Sequence, residues 1–352
     1  MKAYLILFII MLSIQFWKVE TQRSYLFRCF LTFFPLFLYG AFRTACGDYE
    51  SYAVYFEGVH SGGDLFLMAN ERMEWGFALL NYVLPSYRMV IVVTSLFVCL
   101  SFAYFFYKTV PSKYSWLAIT FLFLSADKTF FFWFSGIRNA IAISILMLSV
   151  SFIRDRQYIM MALMAAVAVL FHLSAILFFP LAFIVARSKK MERTEFLIWL
   201  IVMIVLISTP ATIFIEKLFP YVVDSQFERY ETYLEEAHDA GLLVTIGGVL
   251  MALPALFYLY RNKDLSKDDY TIGRLALMFM YSYFLGSLNI RTSQYFIPFV
   301  IPFIVTFFYR AKKKSIDMLY VVYCGIFLAY ALFVVSMNSV YSPFIMFRSL
   351  FN

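Results

Sequence analysis

The residues best placed for chemistry are an arginine, a histidine and a glutamate lying at the edges of apolar runs. Arg138 and Asn139 stand just inside the run opened by Ser135-Gly136. An ionisable residue at mid-bilayer costs about 2.5–3.5 kcal/mol for Arg, Lys or Asp on insertion scales, so it usually faces a cavity. An arginine at a helix start also favours an anion, although snorkelling to lipid headgroups is the plainer role. His172 is isolated in Leu170-Phe171-His172-Leu173-Ser174. Histidine changes charge nearest neutral pH, so it can deprotonate a hydroxyl or, once charged, bind phosphate. Glu74 precedes the stretch from Gly76 to Leu84. It suits a general base or an acceptor-binding group; an ion pair with Arg72 or Arg43 is the structural alternative.

Other polar groups gather in the longer inter-span segments. Asp48, Tyr52 and Tyr55 share one face if that segment is helical, with Tyr49 beside them. A carboxylate among aromatic rings suits sugar, though such rings also belong to interfacial belts. Gln226 to Glu236 reads as a short amphipathic surface helix carrying Arg229, Tyr230 and Tyr233. Arg291 opens a span among Asn289, Thr292, Ser293 and Gln294, and Tyr341 follows the last apolar run.

The elements that must position these residues are membrane helices. The 352 residues are 63% hydrophobic and only 14% charged, with a mean hydropathy of +0.78. About twelve apolar runs have spanning character: 3–17, 25–42, 87–107, 115–133, 136–153, 158–171, 173–186, 195–215, 241–260, 272–288, 292–309 and 316–337. The expected fold is all-α, a single polytopic integral membrane domain over 1–352 with two longer outer loops, near 43–86 and 216–240. Continuous apolar runs exclude a β-barrel, whose strands would alternate. The first run lacks a small-residue cleavage site and reads as a retained span. Residues 115–153 would make one helix of roughly 58 Å against a core of about 30 Å; Asp127-Lys128 and Ser135-Gly136 offer a break, so two spans are expected. Residues 158–186 would put His172 in mid-lipid, so two short helices meeting at His172 are expected there.

Charge orients this arrangement. Lysine-rich clusters such as Lys189-Lys190 and Lys312-Lys313-Lys314 fall on one side, which reads as cytoplasmic. Isolated arginines, Arg138, Arg229 and Arg291, fall on the other, with both long loops. Their planar fork suits phosphate, and the active face is expected to be extracytoplasmic. The net charge of +7 follows this loop pattern and gives no reason to expect nucleic acid. Cys29, Cys46, Cys99 and Cys324 form no disulfide framework or zinc spacing, and His60, His172 and His238 are too dispersed for a metal motif. No nucleotide-binding or serine-hydrolase motif is suitably placed. No outer-loop Asp-x-Asp pair supports a metal-dependent glycosyltransferase.

Taken in order, Asp48-Tyr49 with Tyr52, Glu74-x-Gly76-Phe77, Ser135-Gly-Ile-Arg138-Asn-Ala-Ile-Ala142, Phe171-His172-Leu-Ser174, Arg291-x-x-x-Tyr295 and Tyr341-x-Pro343 resemble the EpsG family. That family belongs among the Wzy-type polymerases of bacterial O-antigen, capsule and exopolysaccharide. Position 139 is Asn where the family often has Gln. The resemblance implies a multi-pass protein of the bacterial inner membrane with its active face in the periplasm. Its substrate would be an undecaprenyl-diphosphate-linked glycan, joined en bloc without cofactor or metal. Arg138, Arg291 and Arg229 would bind the diphosphate. His172, Glu74 or Asp48 would act as base, and Tyr49, Tyr52, Tyr230 and Tyr341 would hold sugar. The partners implied are membrane lipid and, as a candidate, a chain-length regulator. A lipid-linked oligosaccharide flippase and a membrane acyltransferase are the competing classes.

Overall fold

The computed structural model describes residues 2–62, 73–125, 129–186, 189–208, 242–310 and 348–349. The chain divides into two compact units, Met1–Phe183 with Ile304–Asn352, and Ile184–Phe303. The helices of the first are α1 (Lys2–Ile14), α2 (Gln22–Ala41), α3 (Tyr49–His60), α4 (Trp75–Val83), α5 (Tyr87–Thr109), α6 (Ser115–Leu124), α7 (Phe130–Ser135), α8 (Ile137–Leu148), α9 (Val150–Asp155) and α10 (Tyr158–Val169). Helix α11 (Ala175–Val185) follows. The second unit contains α12 (Arg193–Ser208), α13 (Leu242–Arg261), α14 (Lys267–Ser282) and the start of α15 (Asn289–Arg310). The described residues hold one short antiparallel pair, β1 (Arg43–Ala45) with β2 (Arg348–Ser349).

Local chemistry sets the helix ends. Thr21 and Ser24 form a reciprocal capping box at the start of α2, and Ser266 and Asp269 form another at α14. Ser86 caps α5 by accepting from the Met89 N–H. Each such side chain satisfies amides that a helix start leaves without partners. Among the described residues, three helical stretches are long and apolar enough to cross a membrane: Gln22–Ala41, Tyr87–Thr109 and Val244–Arg261. With shorter apolar helices such as Ile137–Leu148 and Tyr158–Val169, they fit a multi-pass membrane protein. The expected spans near 316–337 and the loop near 216–240 lie outside the described residues.

The expected spans over 115–133 and 136–153 differ from the structure. Over 115–133 the helix stops at Leu124, where Thr129 Oγ1 donates to the carbonyls of Leu122 (3.2 Å) and Ser125 (2.8 Å). That hydroxyl serves carbonyls left over at the helix end, so the run forms α6 and α7 instead of one span. Over 136–153, Ser149 separates α8 from α9 while its hydroxyl bonds back to the Ile145 carbonyl at 2.6 Å. Such back-bonding bends helices.

Aromatic contacts join the first unit. Phe33 of α2 packs on Phe102 (5.7 Å) and Phe106 (5.0 Å) of α5, and Phe102 stacks on Trp133 of α7 at 4.2 Å. Such pairs contribute about 0.5–1.5 kcal/mol each beyond their buried area. Arg28, 4% exposed, is a polar rivet in this packing. Its Nη1 donates to the carbonyls of Gln15 (3.0 Å) and Trp17 (2.8 Å). Its Nη2 donates to the Ser112 carbonyl (2.6 Å) and Ser115 Oγ (2.9 Å). Within the second unit, fully buried Arg274 grips Glu195 through Nε (2.5 Å) and Nη2 (2.8 Å). Tyr281 there donates to the Trp199 carbonyl at 2.7 Å.

Replacing Arg28 by Ala strands four acceptors in an apolar setting. It is expected to destabilise the protein by on the order of 3 kcal/mol, read as a lower thermal midpoint of the purified protein in detergent. An unchanged midpoint would show that water replaces the guanidinium without loss.

Candidate functional site

Three chain segments meet in the first unit at Glu74. The first is the start of α4. Gly76 donates its N–H to the Leu170 carbonyl at 2.7 Å, and a Cβ at Gly76 would stand 2.7 Å from that oxygen. Only glycine allows this approach without movement. The second is the gap between α10 and α11, where the chain turns through Leu170 to Ser174. The third is the start of α8, one residue past the Gly136 break, which carries Arg138.

Glu74 uses both carboxylate oxygens. Oε2 accepts from Arg138 Nη1. Oε1 accepts from the Leu173 N–H at 3.1 Å and lies 3.1 Å from His172 Nδ1. Leu173 lies two residues before α11, so Glu74 pins the turn that leads into that helix from a distant segment. Arg138 Nε also reaches Tyr52 Oη at 3.5 Å, and its guanidinium lies 5.9 Å from the Tyr52 ring centre. Among the described residues, its Nη2 carries no hydrogen bond. The side chains of Arg138, His172 and Glu74 are 21%, 16% and 13% exposed, so the cluster is largely shielded without being sealed off.

Burial works against ionising Glu74. The His172 bond, the Arg138 charge and the Leu173 N–H outweigh it, and the carboxyl falls from 4.5 to about 2. Asp48 precedes α3, its backbone N–H donating to Ser135 Oγ at 3.3 Å. Partial burial raises its carboxyl above the usual value, and the Arg138 charge offsets part of that rise.

The structure therefore gathers four sequence candidates, Glu74, His172, Arg138 and Tyr52, and sets Asp48 within reach of the Arg138 charge. Glu74 pairs with Arg138, not with Arg43. The Arg43 Nη1 instead donates to the Gly40 carbonyl (2.7 Å) and Ser95 Oγ (2.8 Å), with 1% exposure. Tyr52, expected to hold sugar, is 4% exposed with its ring 5.2 Å from Phe77. What it offers the cluster is its hydroxyl. Tyr49 packs on Tyr87 at 5.2 Å and receives the Tyr87 hydroxyl on its carbonyl at 2.9 Å. Arg291 belongs to the second unit, where its backbone lies in α15; its side chain, with Arg229, Tyr230 and Tyr341, lies outside the described residues.

Sequence reasoning missed two things here. Gly76 was visible as part of Glu74-x-Gly76-Phe77, but nothing local signals a distant carbonyl against it. Arg43 is a buried cation behind the site, with Phe134 5.5 Å from its guanidinium. Its only sequence signal is its place at the end of an apolar run.

The family model for EpsG matches residues 25–349, which is nearly the whole chain. No curated protein and no solved structure matches it.

Two outcomes follow from this geometry. A Gly76→Ala substitution forces the α4 start from Leu170 and is expected to cost about 1–3 kcal/mol, measured as a lower thermal midpoint in detergent. Glu74 has a folded-state pKa below its unfolded value. Its contribution is therefore full above about pH 4.5 and lost as pH falls toward about 2. The thermal midpoint of Glu74→Gln should lie below that of the parent at pH 7 and converge with it near pH 2. A gap of constant size across that range would contradict the assigned charge state.

Proposed function

The chain belongs to the EpsG family, a Wzy-type polymerase-like family, and on that premise we propose that it joins undecaprenyl-diphosphate-linked repeat units at the periplasmic face of the bacterial inner membrane. One observation carries the reading. A carboxylate, an imidazole and an arginine whose Nη2 carries no hydrogen bond among the described residues converge in one partly shielded cluster. Leaving-group departure needs a cation, and hydroxyl activation needs a base, within one small volume.

In the proposed reaction, the hydroxyl at the non-reducing end of a new repeat attacks the anomeric carbon of the growing glycan. A carbon–oxygen bond forms to that hydroxyl, and the bond from the anomeric carbon to the carrier phosphate breaks. The electron pair leaves with undecaprenyl diphosphate, and the hydroxyl proton passes to His172. A single displacement inverts the anomeric centre. Arg138 offers Nη2 to the diphosphate and stabilises its growing charge; the fork geometry suits phosphate oxygens. Glu74 orients His172 through Nδ1, which favours the tautomer with its lone pair on Nε2. Asp48 and Tyr49, near the start of α3, are proposed to meet acceptor hydroxyls and sugar rings. Arg229 and Arg291 are proposed as further diphosphate-binding residues, and Tyr230 and Tyr341 as further sugar contacts. No metal is assigned to the reaction, since these side chains supply both a cation and a base.

Deleting the gene from its native strain, then resolving the surface glycan by size, tests the reading. The expected result is loss of the long ladder with a single repeat retained on the acceptor. Loss of that single repeat as well, with lipid-linked units trapped inside, would indicate a flippase and end the polymerase reading. In the same strain, Arg138→Ala is expected to lower polymer output at least 100-fold, the order of effect of removing a transition-state charge contact. Full-length polymer from it would remove Arg138 from the chemistry.

A further inference from the structure

Building on the polymerase reading, we infer that Glu74 is a positioning residue that couples donor binding to base strength. While Arg138 holds one carboxylate oxygen, His172 feels only part of the carboxylate's charge. When a diphosphate draws Arg138 toward itself, that charge turns to the imidazole. The base is then strongest only when a donor is bound.

Three observations carry this. First, the two contacts use different oxygens: Oε2 for Arg138, and Oε1 for His172 at 3.1 Å. Glu74 thus touches both groups at once. Second, the carboxylate is held independently of Arg138. The Leu173 N–H donates to Oε1 at 3.1 Å, and the Gly76–Leu170 bond of 2.7 Å fixes the start of α4 against the same turn. If the arginine shifts, Glu74 stays beside His172, so the change reaching the imidazole is one of charge and not of place. Third, Arg138 has somewhere to go: its Nη2 carries no hydrogen bond among the described residues, and its side chain is 21% exposed. A diphosphate carries more charge than one carboxylate and takes a guanidinium fork through two oxygens.

The setting amplifies the effect. At 13% exposure, Glu74 is poorly screened by water, and nearby charges act strongly across it. The other titratable groups near the cluster are Asp48, before α3, and Tyr52 and Tyr55 on α3. All three feel the Arg138 charge. Losing that charge would push the Asp48 carboxyl further up, toward its neutral form, so the charge that reaches the imidazole is that of Glu74.

The test uses the full chain in lipid nanodiscs with ¹⁵N-labelled histidine. Three histidines are present, and His172 is assigned with a His172→Gln variant. The imidazole spectrum gives the ratio of protonated to neutral His172 at a fixed pH where both forms are seen. Adding undecaprenyl diphosphate is expected to raise that ratio about three- to tenfold, the scale of a neighbouring-charge effect. The uncharged alcohol undecaprenol should leave it unchanged. In Glu74→Gln the rise should vanish although the lipid still binds. If Glu74→Gln does not fold, Arg138→Ala tests the same link. There His172 should already be more protonated before ligand, and the diphosphate should add little. Binding to the parent without a change in the ratio would overturn the coupling and leave the polymerase reading standing. A rise preserved in Glu74→Gln would also overturn it, by showing that the diphosphate acts directly through space. Failure of the parent to bind undecaprenyl diphosphate at all would remove both the coupling and the polymerase reading.

Discussion

A carboxylate shielded from water within an apolar fold dictates much of the arrangement around it. Glu74 is tolerable there only because a guanidinium, an imidazole and a backbone amide meet its two oxygens. The partners come from two places: Arg138 from the start of α8, His172 and Leu173 from the turn between α10 and α11. Remove the carboxylate, and among the described residues Arg138 keeps only its long contact to Tyr52, while the Leu173 amide loses its acceptor. The energetic logic is that of a buried ion pair. Its net worth to stability is modest, but stripping away one partner is costly, because the other stays desolvated. The cluster therefore fixes where three helix ends must be, and those ends are where the chain departs from unbroken spans.

Close backbone approach makes that meeting sterically feasible. The start of α4 touches the Leu170 carbonyl through a residue with no side chain, and Gly47 lies beside Ser135 in the same way, where a Cβ would come 2.5 Å from its hydroxyl. Both glycines adjoin an acidic residue or lie two positions from one: Gly47 precedes Asp48, and Gly76 follows Glu74. Small residues let backbones approach in apolar surroundings, where packing and hydrogen bonds, not the hydrophobic effect, join helices. Here the same small residues bring carboxylates up to the helix breaks. The site is thus built from interrupted helices, and non-helical backbone is tolerated in apolar surroundings when it is buried in protein.

Much of this arrangement was legible in the sequence, for reasons particular to each part. Apolar runs located the helices, since 20 residues make roughly the 30 Å that a bilayer core demands. The break at His172 was legible because a lone imidazole in mid-lipid is costly, and the break at Gly136 because two spans cannot share one helix of that length. Inside 115–133, Asp127-Lys128 offered a break, but not the helix end at Leu124, because that end turns on Thr129 serving carbonyls of its own segment. Glu74, Arg138 and His172 were each recognisable as chemical groups. Their mutual contact was not: they lie 64 and 98 positions apart, and no periodicity links residues at such distances. Arg43 shows the same limit. As one of two alternative ion-pair partners for Glu74, it instead finds a backbone carbonyl and a serine, while Arg72, the other, lies outside the described residues.

Charge arithmetic narrows what such a cluster can hold. Glu74 and Arg138 cancel, His172 adds either nothing or one positive charge, and Asp48 brings another negative charge within reach of Arg138. Without a substrate the group is close to neutral, as a desolvated site must be. A diphosphate adds at least two negative charges, and one arginine already shared with a carboxylate cannot neutralise them. The polymerase reading therefore requires further positive charge when the donor binds. That charge can come from another arginine or from a proton taken up by His172. In the second case a protonated His172 is no base, so the neutral fraction of the imidazole takes the acceptor proton. A site built in this way would order its steps through charge: the donor diphosphate first draws Arg138, the imidazole then responds through Glu74, and the imidazole that remains neutral, now the stronger base, serves the attack.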